Sequence, residues 1–303
     1  MRYCVIILLL VQLSAFGQQE SIYSQYLFNP YIVNPAYAGS RDAVSAVLIN
    51  RNQWVGLEGA PNTQSLSIHV PTNKNKLAWG ANFSHDKFGP TRNITAQATA
   101  AYHLVLEDGI LSFGLRGGIL NTQLNFNELQ FREENDAVDT KLKTSAIAPT
   151  FDFGLYYYTP KFYAGISSTH ITKHQYKLNG LTNHDSYYLR RHYYFTSGYV
   201  FDVNYNTILK PSILMKYTEQ APLSIDFNLQ AMFYKRFWLG IGLRNFNSII
   251  LLTDINITDY LRIGYSYDLS LTKLSSYSYG SHEILIGFDF NLKKGVVTSP
   301  RYL

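Results

Sequence analysis

The stretch Leu223-Ser-Ile-Asp-Phe-Asn-Leu-Gln-Ala231 alternates strictly between apolar and polar side chains. Successive side chains of a β-strand point to opposite faces, so this segment has one apolar face and one polar face. Similar alternation recurs at residues 94–104, 236–244 and 261–271. Many such strands in one chain are typical of a transmembrane antiparallel β-barrel, whose outer face meets lipid. A large soluble β-sandwich carries the same alternation and is the alternative.

The alternation and the turn residues between the segments predict an all-β chain of about 14 strands. They lie near residues 43–51, 64–70, 77–86, 94–104, 110–120, 148–158, 161–171, 191–201, 206–216, 223–233, 236–244, 249–256, 261–271 and 282–291. The strands near 43–51 and 249–256 are apolar on both faces, so the pattern does not orient them.

The predicted connections differ in length at the two ends of the strands. Those after even-numbered strands are short, and two of those after odd-numbered strands, at residues 121–147 and 172–190, are long. Short periplasmic turns and longer extracellular loops are the arrangement of outer-membrane barrels. Charged residues make up only 16% of the 303 residues, below the usual quarter or so, which also favours a membrane protein.

The first 17 residues have the composition of a secretory signal peptide. Arg2 supplies a positive start, residues 5–13 are apolar but too few to span a bilayer as a helix, and small residues follow at 14–17. We expect cleavage after Gly17, so that Cys4, the only cysteine, is removed and the mature chain forms no disulfide. The predicted organisation is a signal peptide at 1–17, a periplasmic or plug segment at 18–42, and an outer-membrane β-barrel with a short C-terminal tail at 43–303.

Residue patterns that would indicate catalysis or metal binding are weak. His170 and His174 are four residues apart, but an extended chain separates them by about 13 Å. The acidic run at residues 133–136 lacks the glycine and the spacing of a calcium-binding loop. The sequence contains neither HExxH nor GxSxG. We therefore predict no enzyme, no catalytic residue, no cofactor and no metal; a lipid hydrolase is the enzymatic alternative.

Lysine and arginine are scattered along the chain, although the formal net charge is +5. Nucleic-acid binding requires a clustered basic face, so we predict none. Aromatic residues are frequent, with 25 Tyr and 18 Phe. Amphipathic rings favour membrane interfaces, so part of this content is expected in girdles around the barrel.

Two motifs near the start of the predicted barrel are distinctive. Asn29-Pro30 is followed by Asn34-Pro35-Ala36-Tyr37-Ala38-Gly39, and Arg51-Asn52-Gln53-Trp54 lies at the outer end of the first strand. With a glycine-containing strand at Gly80 and a loop at Pro90, the chain resembles the PorP/SprF family of type IX secretion membrane proteins in Bacteroidota. The resemblance extends over the whole length.

The resemblance implies a barrel that works in type IX secretion or gliding motility. Such a barrel would bind a large adhesin-like secreted protein with a C-terminal targeting domain, help to export it, or anchor it at the cell surface. Other secretion-system components and outer-membrane lipid would be further partners. The resemblance implies no catalytic residues. A passive porin for small solutes is the alternative function, and an open polar lumen would favour it.

The candidate binding residues lie in the two motifs and in the tyrosine-rich loop at 172–190. They are Asn34, Pro35, Tyr37, Gly39, Arg51, Trp54, Tyr187 and Tyr188. Each has a structural alternative: a plug or lid for residues 34–39, a hydrogen bond inside the lumen for Arg51, and an anchor at the membrane interface for Trp54. For Tyr187 and Tyr188, together with Tyr193 and Tyr194, the alternative to a protein interface is an aromatic girdle.

Overall fold

The computed structural model describes residues 22–41, 43–72, 76–125, 128, 143–172, 175–177, 186–219 and 221–291. The signal peptide and cleavage point predicted at residues 1–17 and the C-terminal tail beyond residue 291 lie outside these ranges. In the described ranges, no helix is long and apolar enough to cross a membrane.

Antiparallel strands close into a barrel. In chain order, the strands of the described residues are β1 Ala43–Asn52, β2 Asn62–Pro71, β3 Leu77–Phe88, β4 Thr91–Val105, β5 Ile110–Asn125, β6 Lys143–Tyr158, β7 Phe162–Thr169, β8 Gln175–Lys177, β9 Ser186–Tyr188, β10 His192–Tyr199, β11 Phe201–Asn204, β12 Thr207–Thr218, β13 Ser224–Phe233, β14 Phe237–Arg244, β15 Ser248–Asn256, β16 Leu261–Ser270 and β17 Ser281–Asn291.

Each barrel strand pairs with its neighbours along the chain, and two further pairings complete the ring. β1 pairs with β17, and β10 pairs with both β7 and β12. β11 continues β10 after a break at Val200, so the described wall has 14 strands, as the alternation predicts. β8 and β9 form a separate two-stranded sheet.

The apolar side chains of the wall point outward and the polar ones point inward. In β13, Ser224, Asp226, Asn228 and Gln230 are buried, whereas Phe227 and Leu229 are exposed. A soluble β-sandwich buries its apolar residues between its sheets, so this distribution excludes that alternative. The surface is that of a barrel with lipid outside.

The two ends of the barrel differ, and we refer to them by their connections. The short-turn end has connections at residues 72–76, 106–109, 159–161, 205–206, 234–236 and 257–260. The long-loop end has connections that include residues 53–61, 126–142, 170–191 and 271–280. The predicted asymmetry is therefore present.

Several predicted boundaries are wrong in the same region. The predicted loop at 121–147 is shorter, because β5 continues to Asn125 and β6 begins at Lys143. Within the predicted loop at 172–190, β8 and β9 pair with each other. The predicted strand at 191–201 is divided into β10 and β11, and the seventh strand ends at Thr169. Polar residues occupy both faces at these strand ends. The hydrophobic alternation in the sequence therefore ends several residues before the hydrogen-bonded ladder ends.

Residues 22–41 lie inside the barrel, and we call them the lumen plug. They fold as three short 3-10 turns, Gln25–Leu27, Pro30–Ile32 and Pro35–Tyr37. Proline at the first position of the second and third turns fits, because its missing N–H would have no partner there. Almost every residue of the lumen plug is buried.

Apolar residues of the lumen plug pack against apolar residues on the inner wall. Leu27 and Phe28 belong to one buried cluster with Ile49 of β1 and with Ile250 and Leu252 of β15. These are the two strands whose faces the sequence pattern does not distinguish. Their inward faces are apolar because they contact the lumen plug and not water.

Candidate functional site

The lumen plug runs from the long-loop end of the barrel to the short-turn end. Near its start, the Ser24 backbone N–H donates to Glu283 at 2.9 Å, close to the long-loop end of β17. Near its end, the Gly39 N–H donates to Nδ1 of His69 at 3.1 Å, close to the short-turn end of β2. The chain then enters β1 from the short-turn end. The lumen plug therefore spans the length of the interior.

A buried cluster of charges holds the part of the lumen plug that is nearest the long-loop end. Arg51 donates to Asp268 at 2.7 Å and to Glu283 at 2.9 Å. Arg244 bridges Asp226 at 2.7 Å and Asp268 at 3.2 Å. The Ser24 hydroxyl donates to Asp268 at 2.7 Å. Burying these charges is tolerable because each has a close opposite partner on the wall, and the Ser24 donors join the lumen plug to the cluster.

Three wall or plug arginines donate to backbone carbonyls of the lumen plug. Arg116 donates to the carbonyls of Tyr31 at 3.1 Å and Ile32 at 3.2 Å while its Nε bonds Asp152 at 2.6 Å. Arg262 donates to the carbonyl of Phe28 at 2.9 Å, and Arg41 donates to the same carbonyl. Such charge-assisted hydrogen bonds are stronger than neutral ones, and they satisfy carbonyls that the short turns leave free.

The motif that begins at Asn34 is fixed to the wall beside β5 and β6. The Asn34 side chain donates from Nδ2 to the Leu155 carbonyl at 2.9 Å and accepts at Oδ1 from the Ala36 N–H at 2.9 Å. A Cβ atom on Gly114 would overlap the backbone of Pro35 and Ala36, and one on Gly154 would overlap Asn34. Glycines in the wall thus allow the motif to approach the strand backbones closely.

Tyr37 and Gly39 belong to the part of the lumen plug that is nearest the short-turn end. The Tyr37 ring is buried and makes edge contacts with His69 and Tyr156. Its hydroxyl accepts from Nε of Arg41 at 3.2 Å, and Arg41 pairs with Asp289 at 3.2 Å. Gly39 has φ +80°, and an added Cβ would overlap Ala78. Both features require glycine at this position.

The predicted candidate residues therefore fall into separate groups. Asn34, Pro35, Tyr37, Gly39 and Arg51 all lie buried in the lumen, where they join the lumen plug to the wall. Sequence reasoning identified these positions but not the partners Asp268, Glu283 and Arg116, which lie on distant strands. The only signal in the sequence was that these residues are polar and alternate with apolar ones. Alternation predicts which face of a strand a side chain lies on, but not which side chains of different strands contact each other.

The other candidates lie at the long-loop end. Trp54 adopts φ +50° in the first loop, and its N–H donates to the Ser281 hydroxyl at 3.1 Å. Val55 exchanges backbone hydrogen bonds with the loop at 271–280, since its N–H donates to Gly280 and its carbonyl accepts from Tyr279. Tyr187 and Tyr188 belong to β9. Tyr193 faces outward, as a girdle requires, but Tyr194 is buried and faces the lumen, so its assignment to a girdle is wrong.

The long-loop end also carries exposed charge and an internal cavity. Lys87 and Arg92 approach the carboxylate of Glu128 at 3.6 and 3.4 Å. A hydrogen bond from Asn125, together with these two cations, lowers the pKa of Glu128. Beneath this rim, a cavity of about 150 Å³ separates the lumen plug from the loops, lined on one side by Asn82 and Gln97 and on the other by Tyr194.

The described residues contain no group of three or more His, Cys, Asp or Glu side chains placed to hold a metal ion. The buried carboxylates Asp152, Asp226, Asp268, Glu283 and Asp289 all lie within hydrogen-bonding or ion-pair distance of an arginine. Asp268, Glu283 and Asp289 contact the lumen plug directly, whereas Asp152 and Asp226 hold wall arginines.

The fold and this interior define the class: an outer-membrane β-barrel that encloses a segment of its own chain. The sequence model of the type IX secretion system membrane protein PorP/SprF family matches residues 15–288, and the chain belongs to that family. The comparison with curated proteins gave no match.

Two solved proteins, a channel and a transporter, share the barrel fold at low sequence identity. The CymD monoaromatic hydrocarbon channel has a TM-score of 0.52 at 12% identity, with 92% of this chain and 95% of that chain covered. The toluene transporter TodX of Pseudomonas putida has a TM-score of 0.50 at 11% identity, with 91% and 96% covered. Omp33 of Acinetobacter baumannii has a TM-score of 0.49 at 8% identity, with 82% and 100% covered.

Proposed function

We propose that this barrel is a non-catalytic platform of the type IX secretion system that binds a secreted protein with a C-terminal targeting domain. It helps to export that protein or anchors it, as an adhesin, at the cell surface. Membership of the PorP/SprF family supports a role in type IX secretion.

One observation carries the proposal beyond the family: the lumen is filled by the protein's own chain. Charge-assisted hydrogen bonds to Glu283, Arg116 and Arg262 join the lumen plug to the wall at three levels along the barrel axis. A pore for small solutes needs an open aqueous path. A barrel rigidified from within is better suited to present its long-loop end as a binding surface, because rigid scaffolds support binding loops.

Co-purification from outer membranes tests the proposal. An affinity tag on the C-terminal tail should recover a large secreted protein with a type IX C-terminal domain, identified by mass spectrometry. Deletion of the gene should reduce the amount of that protein at the cell surface. Recovery of no secreted protein, combined with unchanged secretion and surface display in the deletion strain, would contradict the proposal.

The passive porin makes the opposite prediction for the same purified protein. Reconstituted in planar bilayers, a plugged platform should give no stable conductance steps, whereas a porin should conduct continuously. The cavity of about 150 Å³ at the long-loop end is the observation that keeps this second function under test. Hydrolysis of phospholipid substrates by the same preparation would contradict the non-catalytic part of the proposal.

A further inference from the structure

The outer face of β4 changes from apolar to charged near the long-loop end. Its outward residues from Ile94 to Leu104 are alanine, tyrosine or aliphatic, and Ile94 and Tyr102 are 44% and 43% exposed. This stretch has about the 9–11 residues that a tilted strand needs to cross the hydrocarbon. The next outward residue is Arg92, which is exposed. Arg92 therefore lies just beyond the hydrocarbon, at the level of the lipid headgroups.

The two strands beside β4 change in the same way. On β3, Phe83 is 49% exposed, and Lys87 lies on the same face nearer the long-loop end. On β2, Leu66 is 36% exposed, and Asn62 lies on the same face nearer that end. Asn62 pairs with Lys87, and Lys87 pairs with Arg92, so the three side chains lie side by side. We call these three residues the cationic patch.

The strands β13 and β16 do not show this change. Leu223, next to the first residue of β13, is 50% exposed, and Leu269, next to the last residue of β16, is 41% exposed. The outer face of these strands is therefore apolar up to the long-loop end. The cationic patch is a local feature of β2, β3 and β4 and not part of a polar ring around the barrel.

The cationic patch places two like charges directly opposite each other. Side chains at such positions of an antiparallel pair are about 4.5–5.5 Å apart at Cβ, and like charges there are destabilising. The Glu128 carboxylate lies 3.6 Å from Lys87 and 3.4 Å from Arg92, so it cancels one of the two charges. The two cationic side chains remain 43% and 44% exposed. One positive charge is left over, and a further anion in contact with both side chains would offset their repulsion.

We propose that the cationic patch binds the phosphorylated sugar headgroup of lipid A, the membrane anchor of lipopolysaccharide in the outer leaflet. Phosphate oxygens accept hydrogen bonds from Lys87 and Arg92, and the Asn62 side chain bonds a sugar hydroxyl. The acyl chains lie along the apolar outer face below, against Leu66 and Phe83.

The surroundings of the cationic patch favour this ligand over other anions. An acidic protein segment would supply charge but would not cover the apolar face that begins directly below the patch. A phospholipid has a phosphate and acyl chains but lacks the sugar ring beside Asn62. The inference requires the long-loop end to face the outer leaflet. It does not depend on the secreted partner, so its failure would leave the proposed function intact.

Removal of the two cations tests the inference. The probe is bisphosphorylated lipid A, added to the purified full-length barrel in lauryldimethylamine oxide, a detergent without sugar or phosphate. Lys87→Gln/Arg92→Gln should weaken binding about tenfold, the effect of two exposed ion pairs near the upper end of their usual strength. Lys161→Gln/Lys235→Gln removes the same charge from exposed lysines at the short-turn end and should bind within about twofold of wild type.

All variants should migrate as folded barrels in unheated gel samples, which separates lost binding from lost folding. Wild-type affinity in a folded Lys87→Gln/Arg92→Gln variant would overturn the inference. An equal loss in the Lys161→Gln/Lys235→Gln control would do the same, because it would show attraction to the net charge of the protein and not to the patch.

Substitution of Glu128 distinguishes a lipid site from an ion pair that only holds a loop. Glu128→Gln removes the carboxylate that competes with phosphate for the two cations. We expect it to tighten lipid A binding about threefold, the effect of one exposed ion pair. A purely structural pair predicts no gain, so unchanged or weaker binding by Glu128→Gln would contradict the proposal.

Two further probes identify the part of the lipid that is recognised. Dephosphorylated lipid A and phosphatidylglycerol should each bind at least about fivefold more weakly than bisphosphorylated lipid A. Equal affinity for dephosphorylated lipid A would show that the cations do not bind phosphate. Equal affinity for phosphatidylglycerol would show that any anionic lipid suffices, and the assignment to a glycolipid would be wrong.

Discussion

At the scale of single residues, the wall glycines are as important to the interior as the charged residues. Gly114 faces inward on β5, and the backbone of Pro35 and Ala36 occupies the space where its Cβ would be. Gly117, three residues further along the same strand, would place a Cβ about 3.3 Å from the Phe151 ring. The same substitution at the two sites therefore differs mainly in whether it meets the lumen plug.

Gly114→Ala should destabilise the protein by about 1–3 kcal/mol, because overpacking against a backbone forces the lumen plug or the strand to shift. Unfolding in detergent micelles by guanidinium measures this loss. Gly117→Ala is the matched control and should change stability by less than about 0.5 kcal/mol. Equal stability of the two variants would show that residues 34–36 do not pack against β5 as described.

Arg51 shows how much of the contact network in the lumen could be predicted from the sequence. Its long polar side chain at the end of the first strand allowed a hydrogen bond in the lumen to be predicted as the structural alternative, although the pattern did not orient that strand. Its partners Asp268 and Glu283 are more than 200 positions away in the chain, and their pairing depends on the closure of β1 against β17. Sequence spacing contains no information about such contacts until the register of the barrel is known.

At the scale of elements, alternation predicted the strands well wherever the inner face meets polar groups. It did not orient β1 or β15, because Ile49, Ile250 and Leu252 face the apolar part of the lumen plug. The plug was predicted as a segment separate from the barrel, but no local pattern could give its path. Its turns are short and irregular, and its hydrogen bonds reach β2, β6, β13 and β17, which are far apart in the chain.

The orientation of β15 in the structure makes a prediction that its sequence could not. Leu251 is 50% exposed on the outer face near the middle of the strand, where it meets hydrocarbon. Leu251→Arg should cost about 2–4 kcal/mol, the penalty for arginine at the bilayer midplane. Reversible unfolding from phospholipid vesicles measures the cost. An arginine in place of Tyr277, in an exposed loop, is the control and should be neutral; a neutral Leu251→Arg would reverse the assigned faces.

At the scale of the whole molecule, the orientation of the barrel in the membrane decides which of its two ends a partner outside the cell can reach. The long-loop end carries the connections at 53–61, 170–191 and 271–280 and the cavity above the lumen plug. Among the described residues, the short-turn end carries tight connections and the entry of the lumen plug into β1. Docking of a secreted protein therefore requires the long-loop end to face the outside of the cell.

Two tyrosines at opposite ends allow this orientation to be measured. Tyr277 lies at the long-loop end and is 72% exposed, and Tyr234 lies at the short-turn end and is 73% exposed. Cys4 is the only native cysteine and lies in the predicted signal peptide. Tyr277→Cys and Tyr234→Cys should therefore each introduce a single thiol into the mature chain.

A membrane-impermeant maleimide should label Tyr277→Cys in intact cells and should label Tyr234→Cys only after the outer membrane is permeabilised. Because their exposures match, a difference in labelling reports the side of the membrane and not the accessibility of the side chain. The reverse pattern would place the long-loop end in the periplasm. The barrel could then still meet its cargo before export, but its long-loop end could not hold a protein at the cell surface.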